Sequence, residues 1–265
     1  MGFSGKTIAT WAALWALTLC SCQRPSDRLK IGVIAGFEEE VAAVAVRLAK
    51  ERFNVDAELV AFSDYMTPNA ALADGSLDAN AFQHQPYLDQ QIKDRGYKLV
   101  PIGKTFVYPI AAYSRRIQRA EQLANGAQVA VPNDPTNLGR ALALLEKQGL
   151  LKLKPGVGVR GTALDIVDNP KKLRVVEIDA AQLPRALPDV DLAVINTNYA
   201  SQIDLVPTRD GLFIEDKESP YVNLIVARED NRDRPALQSF VKAYQSDEVA
   251  ATAQRLFRGG AVKGW

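Results

Sequence analysis

From Leu29 to Phe62 the sequence reads LKIGVIAGFEEEVAAVAVRLAKERFNVDAELVAF. The apolar run Leu29–Ile34 predicts a strand, and the run Ala57–Phe62 predicts a second one. Between them lies a predicted helix over about Glu38–Arg52. Its apolar side chains recur at i, i+3, i+4 and i+7, at Val41, Val44, Ala45 and Leu48. A strand, a helix and a strand in this order predict a βαβ unit with two parallel strands.

The alternation of strands and helices continues along the rest of the chain in two series. The first series adds a helix at Pro68–Ala73 that ends near Gly75, a strand at Leu77–Phe82 and a helix at Tyr87–Lys93. The second comprises a strand at Gln128–Val131, a helix from Pro135, a strand at Leu173–Ile178, a helix near Ala180–Ala186 and a strand at Leu192–Ile195. Both series predict largely parallel sheets.

Two extended segments separate these series and predict crossings between two lobes. Leu99–Tyr113 is rich in β-branched and aromatic residues, is longer than a typical strand and contains two prolines. Tyr221–Arg228 is again strand-like and predicts the return. Two amphipathic helices follow, one with Leu237, Phe240, Val241 and Tyr244 on one face, the other with Val249, Ala253 and Leu256 before Gly259-Gly260.

The predicted fold class is therefore α/β, with two βα lobes joined by two crossover strands and a ligand cleft between them. Residues 29–107 and 226–265 form the first predicted lobe, and residues 108–225 form the second. Ligands favour clefts between domains and the carboxyl ends of parallel strands. Polar side chains just after predicted strands are thus the candidates for a binding site.

The N-terminus has the pattern of an exported lipoprotein. Lys6 precedes a short apolar run from Ile8 to Leu19, which predicts a signal peptide over residues 1–21. The run ends in Leu19-Cys20-Ser21-Cys22, which resembles the bacterial lipobox. Cys22 has a small residue before it, whereas Cys20 follows a leucine, so Cys22 is the predicted lipidation site and residues 22–28 a tether. The alternatives are a Cys20–Cys22 disulfide or two free thiols in an uncleaved anchor.

Charge and composition argue against several function classes. Lys plus Arg number 32 and Asp plus Glu number 31, and removing residues 1–21 leaves 31 of each because only Lys6 is lost. A neutral chain lacks the basic footprint of nucleic-acid binding, so no nucleic acid is expected as a partner. The chain has a single histidine, His84, and no HExxH or paired-cysteine motif. Neither a metal nor another cofactor is therefore expected. The sequence contains neither a nucleophile elbow nor a Gly-rich phosphate loop, so no enzyme is predicted.

The most informative candidate segment is VPNDPTNLGR, residues 131–140. A predicted strand ends here and a helix begins, with Asp134 suited to the N-cap and Pro135 to the first helical position. Asn137 and Arg140 lie three residues apart and share a helix face. Arginine beside free helix amides suits a carboxylate, and bidentate contact adds specificity. The alternative is an ordinary capped helix with a solvated arginine.

A second segment, DANAFQHQPY over residues 78–87, follows the third strand. Phe82 and Tyr87, joined by Tyr65 from the preceding loop, predict an aromatic slot for an apolar side chain. Polarizable sulfur packs well against ring edges. The alternative is that these aromatic residues pack in the core. His84 is predicted to be a neutral hydrogen-bonding or stacking residue rather than a metal ligand, because no partner ligands surround it.

Asparagines after two later strands are further candidates. Asn196 and Asn198 follow the strand at Leu192–Ile195, and Asn223 lies in SPYVN at residues 219–223. Their side chains can accept from an ammonium and donate to a carboxylate. The alternative is turn chemistry, in which asparagine is common for conformational reasons. The acidic run Glu38–Glu40 complements the dipole of the first helix and is expected to face solvent.

Together these segments resemble the periplasmic methionine-binding lipoproteins of the bacterial methionine ABC importer. The resemblance runs from the lipobox to Trp265. It is carried by DANAFQHQPY (78–87), VPNDPTNLGR (131–140), AVINTNYA (193–200), EDKESPYVN (215–223) and GAVKGW (260–265). It implies a type II binding-protein fold that closes on its ligand. It also implies an exported protein, anchored by lipid at Cys22 and facing the periplasm or cell exterior, which serves a membrane permease and ATPase.

The resemblance assigns roles residue by residue. Tyr65, Phe82, His84 and Tyr87 would line the pocket for the thioether of L-methionine or a related small amino acid. Arg140, with Asn137 beside it, would bind the carboxylate. Asn196 or Asn198, and Asn223, would bind the amino and carboxylate groups. Two rivals stay open, a binding protein for another apolar amino acid or a dipeptide, and an enzyme on the same fold.

Overall fold

The structure, a computed structural model, describes residues 1–2, 28–216 and 219–265. The predicted signal peptide beyond Gly2 and the predicted lipidation site at Cys22 lie outside these residues. The described residues form two mixed α/β lobes, each built on its own sheet, as the alternating sequence pattern predicts. No helix among them has the length and apolar character that would allow it to cross a membrane.

The larger lobe contains a six-stranded sheet in the order β13-β4-β12-β3-β1-β2. Its strands are β1 (Leu29–Ile34), β2 (Ala57–Phe62), β3 (Ala79–His84), β4 (Leu99–Val107), β12 (Val222–Arg228) and β13 (Val262–Lys263). β1 is parallel to β2 and β3, and the register runs from Leu29 opposite Ala57 to Ile34 opposite Phe62. The βαβ unit predicted at the start of the chain is therefore confirmed. β12 is antiparallel to β3 and β4.

Helices pack on this sheet through the apolar positions that the sequence predicts. The helices of the lobe are α1 (Phe37–Phe53), α2 (Thr67–Ala73), α3 (Gln85–Arg95), α8 (Pro235–Tyr244) and α9 (Asp247–Leu256). Val41, Ala45 and Leu48 of α1 are buried in one cluster with Leu237 of α8 and Val249 of α9. Burying each of the valine and leucine side chains in this cluster contributes about 1.5–3 kcal/mol. α1 ends at Asn54, which adopts the left-handed conformation of a C-cap.

The smaller lobe contains a five-stranded sheet in the order β11-β5-β10-β6-β9. Its strands are β5 (Ala111–Tyr113), β6 (Gln128–Pro132), β9 (Arg174–Ile178), β10 (Leu192–Ile195) and β11 (Phe213–Ile214). β6 is parallel to β9 and β10, whereas β5 is antiparallel to β10 and β11. The helix α4 (Pro135–Lys147) buries its leucines in the core of this lobe.

The predicted crossings occur, with one boundary displaced. β4 ends in the larger sheet at Val107 and β5 begins in the smaller sheet at Ala111, so the first crossing spans residues 108–110. On the return, β12 begins at Val222, which pairs with Val107. Residues 222–225 therefore belong to the larger sheet, whereas the predicted lobe boundary at 226 placed them with the smaller lobe. The sheet to which a strand belongs depends on its partner strand, and the sequence of residues 221–228 alone does not identify that partner.

Short elements depart most from the predictions. The helix predicted near Ala180–Ala186 is a 3-10 turn at Ala180–Gln182 followed by α5 (Leu183–Ala186). A hairpin of β7 (Lys152–Leu153) and β8 (Ile166–Asp168) and the short helices α6 (Thr197–Ser201) and α7 (Pro207–Asp210) have no counterpart in the predictions. These elements are too short to show a hydrophobic period.

Gly139 sets how closely α4 approaches the loop beside it. A Cβ atom added at Gly139 would lie 2.3 Å from the backbone oxygen of Val159 and 2.6 Å from its carbonyl carbon. Backbone atoms cannot rotate away as a side chain can. Any side chain here would therefore push α4, which carries Asn137 and Arg140, away from the 3-10 turn Gly158–Arg160.

We expect Gly139→Ala to destabilise the protein. Overpacking costs about 1–3 kcal/mol, and the backbone clash places this site near the upper end, while the gain in helix propensity is about 1 kcal/mol. The net loss of unfolding free energy should be about 1–2 kcal/mol, measured by chemical denaturation. Ala143→Ser, at an exposed position of the same helix, is the control and should change stability little. A Gly139→Ala protein as stable as the wild type would contradict this packing.

Candidate ligand-binding site

A cavity of about 370 Å³ lies between the two lobes. All nine residues predicted from the sequence line it, namely Tyr65, Phe82, His84, Tyr87, Asn137, Arg140, Asn196, Asn198 and Asn223. Four further residues line it that were not predicted to do so, namely Glu38, Gln83, Tyr108 and Thr197. We call this space the interlobe cavity.

The ends of strands and the starts of helices bring these residues together. β3 ends at His84, whose Nδ1 accepts a hydrogen bond from the backbone N–H of Tyr87 at 3.1 Å and so caps α3. β10 ends at Ile195, and Asn196 follows at the start of α6. Asp134 caps α4 by accepting from the N–H of Asn137 at 2.9 Å, as predicted. The cavity therefore lies where ligands of α/β proteins are usually bound.

Asn137 is fully engaged by protein groups. Its Nδ2 donates to both carboxylate oxygens of Asp134, at 3.2 and 3.0 Å. Its Oδ1 accepts from Nδ2 of Asn196 at 3.0 Å and lies 3.3 Å from Nε2 of His84. Burial raises the pKa of Asp134, and the hydrogen bonds from Asn137 and Thr136 oppose that shift. Asn137 thus orients two neighbours and has little capacity left for a ligand.

The same network sets the state of His84. Nδ1 accepts a backbone hydrogen bond, and Nε2 faces the Asn137 oxygen, which is an acceptor because the Asn137 nitrogen is bound to Asp134. The neutral tautomer with its proton on Nε2 satisfies both contacts. Burial, and to a lesser extent the charge of Arg140, lower the pKa of His84 to about 3. Both hydrogen-bond contacts and the lowered pKa therefore favour the neutral form of His84 at the cavity wall.

Arg140 is held from three directions and is only 4% exposed. Its Nε donates to Oε1 of Glu215 at 2.9 Å, and its Nη2 donates to Oε2 of Glu215 and to the carbonyl of Tyr108. Its guanidinium carbon lies 4.2 Å from the ring centre of Tyr221. Glu215, which the sequence analysis did not single out, thus occupies one fork of the guanidinium. The bidentate contact that the sequence suggested for a ligand carboxylate is therefore made to Glu215, through Nε and Nη2. Nη1 is the guanidinium nitrogen that remains for a ligand.

Aromatic rings form one wall of the interlobe cavity. The ring centres of Tyr65, Phe82 and Tyr87 lie 6.0–6.2 Å from one another. Tyr199, absent from the predictions, packs 5.0 Å from Tyr65. The hydroxyl of Tyr87 donates to the carbonyl of Tyr65 at 2.7 Å, and the Tyr65 hydroxyl donates to Oδ1 of Asn198 at 2.6 Å. Both phenols are anchored at their polar ends, so they present ring surface to the cavity.

Several polar atoms of the cavity wall lack a hydrogen-bond partner among the described residues. They are Oε2 of Glu38, the hydroxyl of Tyr108, Oδ1 of Asn196 and Nδ2 of Asn198. Asn223 donates through Nδ2 to the carbonyl of Phe82 at 2.9 Å, which leaves its Oδ1 as an acceptor. Buried polar groups are normally paired, because each unpaired one costs about 1–3 kcal/mol. These atoms complement a ligand that carries both donors and acceptors.

The prediction that Glu38 faces solvent is wrong. Glu38 is 4% exposed and lines the interlobe cavity. Burial raises the pKa of its carboxyl to about 8. It precedes Val41, Ala42 and Ala45 by three, four and seven residues, so it lies on the buried face of α1. The sequence contains this spacing, but three consecutive glutamates are more typical of an exposed first helical turn, which led to the wrong prediction. Glu40, two residues on, is exposed.

The cavity contains no arrangement typical of catalysis among the described residues. Its titratable side chains, Glu38, Tyr65, His84, Tyr87, Tyr108 and Arg140, form no hydrogen bonds with one another. A nucleophile and its base would be in such contact. The described part of the chain also contains no group of three or more His, Cys, Asp or Glu side chains placed to hold a metal ion.

Comparison with known proteins agrees with this arrangement. The model of the NlpA lipoprotein family matches residues 29–265. The chain belongs to that family. A relative from Salmonella typhimurium, named D-methionine-binding lipoprotein MetQ, is 60% identical over 271 residues, with 100% of each chain covered.

Two solved structures show the same fold as this NlpA-family chain. A nutrient binding protein from Burkholderia cenocepacia bound to methionine matches with a TM-score of 0.88 and 50% identity, over 89% of this chain and 100% of that one. An ABC transporter periplasmic substrate-binding protein from Coxiella burnetii matches with a TM-score of 0.87 and 51% identity, over 89% and 100%. The predicted family resemblance and the predicted two-lobed type II fold are therefore confirmed.

Proposed function

We propose that this protein is a lipid-anchored, extracytoplasmic binding protein that captures methionine and delivers it to an ABC importer. The observation that carries the proposal is the interlobe cavity, which joins an aromatic wall to a set of unpaired donors and acceptors. The relative named for D-methionine binding and the neighbour bound to methionine support the choice of ligand. The substrate-binding neighbour of an ABC transporter supports the partner.

The hydrogen-bond network suggests how the charges of the amino acid are received. Arg140 offers Nη1 to the carboxylate, while its other contacts keep the guanidinium in place. Asn196 and Asn223 offer amide oxygens, which accept from an ammonium group. Asn198 offers one more donor through Nδ2. Asn137 serves this arrangement indirectly, because its own groups orient Asn196 and His84.

The aromatic wall suggests how the side chain is recognised. Tyr65, Phe82 and Tyr87, with the neutral His84 beside them, surround space suited to an unbranched thioether. Sulfur near ring edges gains about 0.3–1.5 kcal/mol. A charged side chain would lose its hydration without gaining a partner among these rings. A β-branched side chain is stiff and wide near the backbone.

We expect a defined order of ligands in competition binding to the wild-type protein. Methionine should bind best, norleucine and selenomethionine slightly less well, and isoleucine far more weakly, because of its branch at Cβ. Lysine and glutamate should not compete, since their charges would be buried unpaired. A glycyl dipeptide needs room for an extra peptide unit and should also compete poorly. If glutamate or isoleucine displaces bound methionine as well as methionine does, the proposed specificity is wrong.

Replacing Arg140 should weaken methionine binding strongly. Removal of one partner of a buried charge pair costs about 2–5 kcal/mol, so Arg140→Ala should raise the Kd roughly 30-fold or more in calorimetry. Arg185→Ala removes the same charge from the exposed surface of the same lobe and is the matched control. It should bind methionine like the wild type. Unchanged affinity in a folded Arg140→Ala protein would exclude Arg140 from the site.

Anchoring through Cys22 is part of this proposal, and delivery to a membrane permease and its ATPase would follow from it. The lipobox ending at Cys22 motivates the assignment. Cys22→Ala should abolish incorporation of a fatty-acid analogue in metabolic labelling, because no thiol is left at the processing position. Cys20→Ala, the matched control, should label normally, since Cys20 would leave with the signal peptide. Undiminished labelling of Cys22→Ala would rule the assignment out.

A further inference from the structure

Among the described residues, Glu38 is the acidic residue that lines the interlobe cavity, and it has no counter-charge there. It forms no ion pair with any arginine or lysine among the described residues. The cation of the cavity, Arg140, is matched by Glu215 instead. Oε2 of Glu38 is buried without a hydrogen-bond partner in the described part of the chain. The cavity therefore contains a carboxyl group with an unused acceptor.

The titratable groups that face Glu38 from other elements are all phenols. They are Tyr65 before α2, Tyr108 after β4, Tyr199 of α6 and Tyr244 of α8. Burial is the main cause that raises the pKa of these tyrosines, and the Glu38 carboxylate adds to it. The Tyr65 and Tyr199 hydroxyls donate elsewhere, to Asn198 and to the Ser63 carbonyl. The surroundings thus provide no positive charge to offset an ionised Glu38.

We propose that Glu38 is a further ligand-contacting residue, which accepts a hydrogen bond from the ammonium group of the bound amino acid and releases its own proton to solvent as the ligand enters. This inference rests on the proposed function. A zwitterion brings one charge of each sign, and the cavity would receive the carboxylate at Arg140 and the ammonium at Glu38. Together with the amide oxygens of Asn196 and Asn223, Glu38 offers a third acceptor for the three N–H bonds of an ammonium.

The proton release follows from the state of Glu38 before and after binding. Burial raises its pKa to about 8 without ligand, so at pH 7 the carboxyl is mostly protonated. An ammonium in contact favours the ionised form and lowers the pKa. Binding at pH 7 should therefore release close to one proton, and methionine affinity should rise as the pH rises from 6 towards 8. A ligand without the ammonium lacks the charge that drives this release.

Titration calorimetry at pH 7 in two buffers of different ionisation enthalpy counts the released protons. The ligands are L-methionine and its hydroxy analogue, 2-hydroxy-4-(methylthio)butanoate, in which a neutral hydroxyl replaces the ammonium. The proteins are the wild type, Glu38→Gln and Glu40→Gln, a matched control with the same change at an exposed position of the same helix turn.

We expect the wild type and Glu40→Gln to release close to one proton with methionine and none with the hydroxy analogue. Glu38→Gln should release none and bind methionine about tenfold more weakly, the effect of losing a charge-assisted hydrogen bond. Its affinity for the hydroxy analogue should change less than about threefold.

Equal loss of affinity for both ligands in Glu38→Gln would overturn the inference, because it indicates a structural role. Methionine binding to the wild type without proton release would also overturn it, and that measurement does not depend on the folding of any variant. By contrast, a wild-type protein that fails to bind methionine at all would refute the proposed function.

Discussion

The carboxylate of Asp134 is the group on which the organisation of the cavity depends. It caps α4 through the backbone N–H of Asn137 and also holds the side-chain nitrogen of Asn137. The oxygen of Asn137 is then turned towards His84 of the larger lobe and Asn196 of the smaller one. One capping interaction thus favours the Nε2-protonated tautomer of His84 and holds the Asn196 amide so that its oxygen has no partner among the described residues. Asp134 therefore both caps α4 and orders the polar side chains at the cavity wall.

Contacts between the lobes enclose the cavity without blocking it. The Tyr65 hydroxyl reaches Asn198, the Tyr199 hydroxyl reaches the carbonyl of Ser63 at 3.2 Å, and His84 reaches Asn137. Each contact joins a residue of one lobe to a residue of the other beside the cavity wall. Excluding water strengthens every electrostatic interaction inside such a site. The same exclusion makes an unpaired polar group costly, so the ligand has to satisfy the polar atoms that the protein does not.

The charges at the cavity are arranged so that Arg140, the cation among its described lining residues, is paired within the protein. Glu215 neutralises Arg140 and positions it, and Tyr221 covers its guanidinium. The opposite charge is treated differently, since Glu38 has no such partner among the described residues and burial favours its neutral form. A neutral ligand with separated charges fits this pattern, because each end meets a group suited to it.

Local sequence patterns are enough to predict the βαβ start, the capped helix at Asp134-Pro135 and the polar residues that follow the strands. These features depend on neighbours within a few positions, such as the apolar period of α1 or the geometry of an N-cap. Which polar atoms of the cavity wall remain without a protein partner depends on long-range packing instead. Two nitrogens of the Arg140 guanidinium bind Glu215, which is 75 residues away in the chain. The side-chain nitrogen of Asn137 binds Asp134, and its oxygen binds Asn196 and lies close to His84. The period of α1 implied that Glu38 is buried, but only the packing of the lobes placed it at the cavity. Hydrogen-bond partners that are distant in the chain cannot be recognised from the residues around each group. These partners determine which donors and acceptors remain unpaired at the cavity.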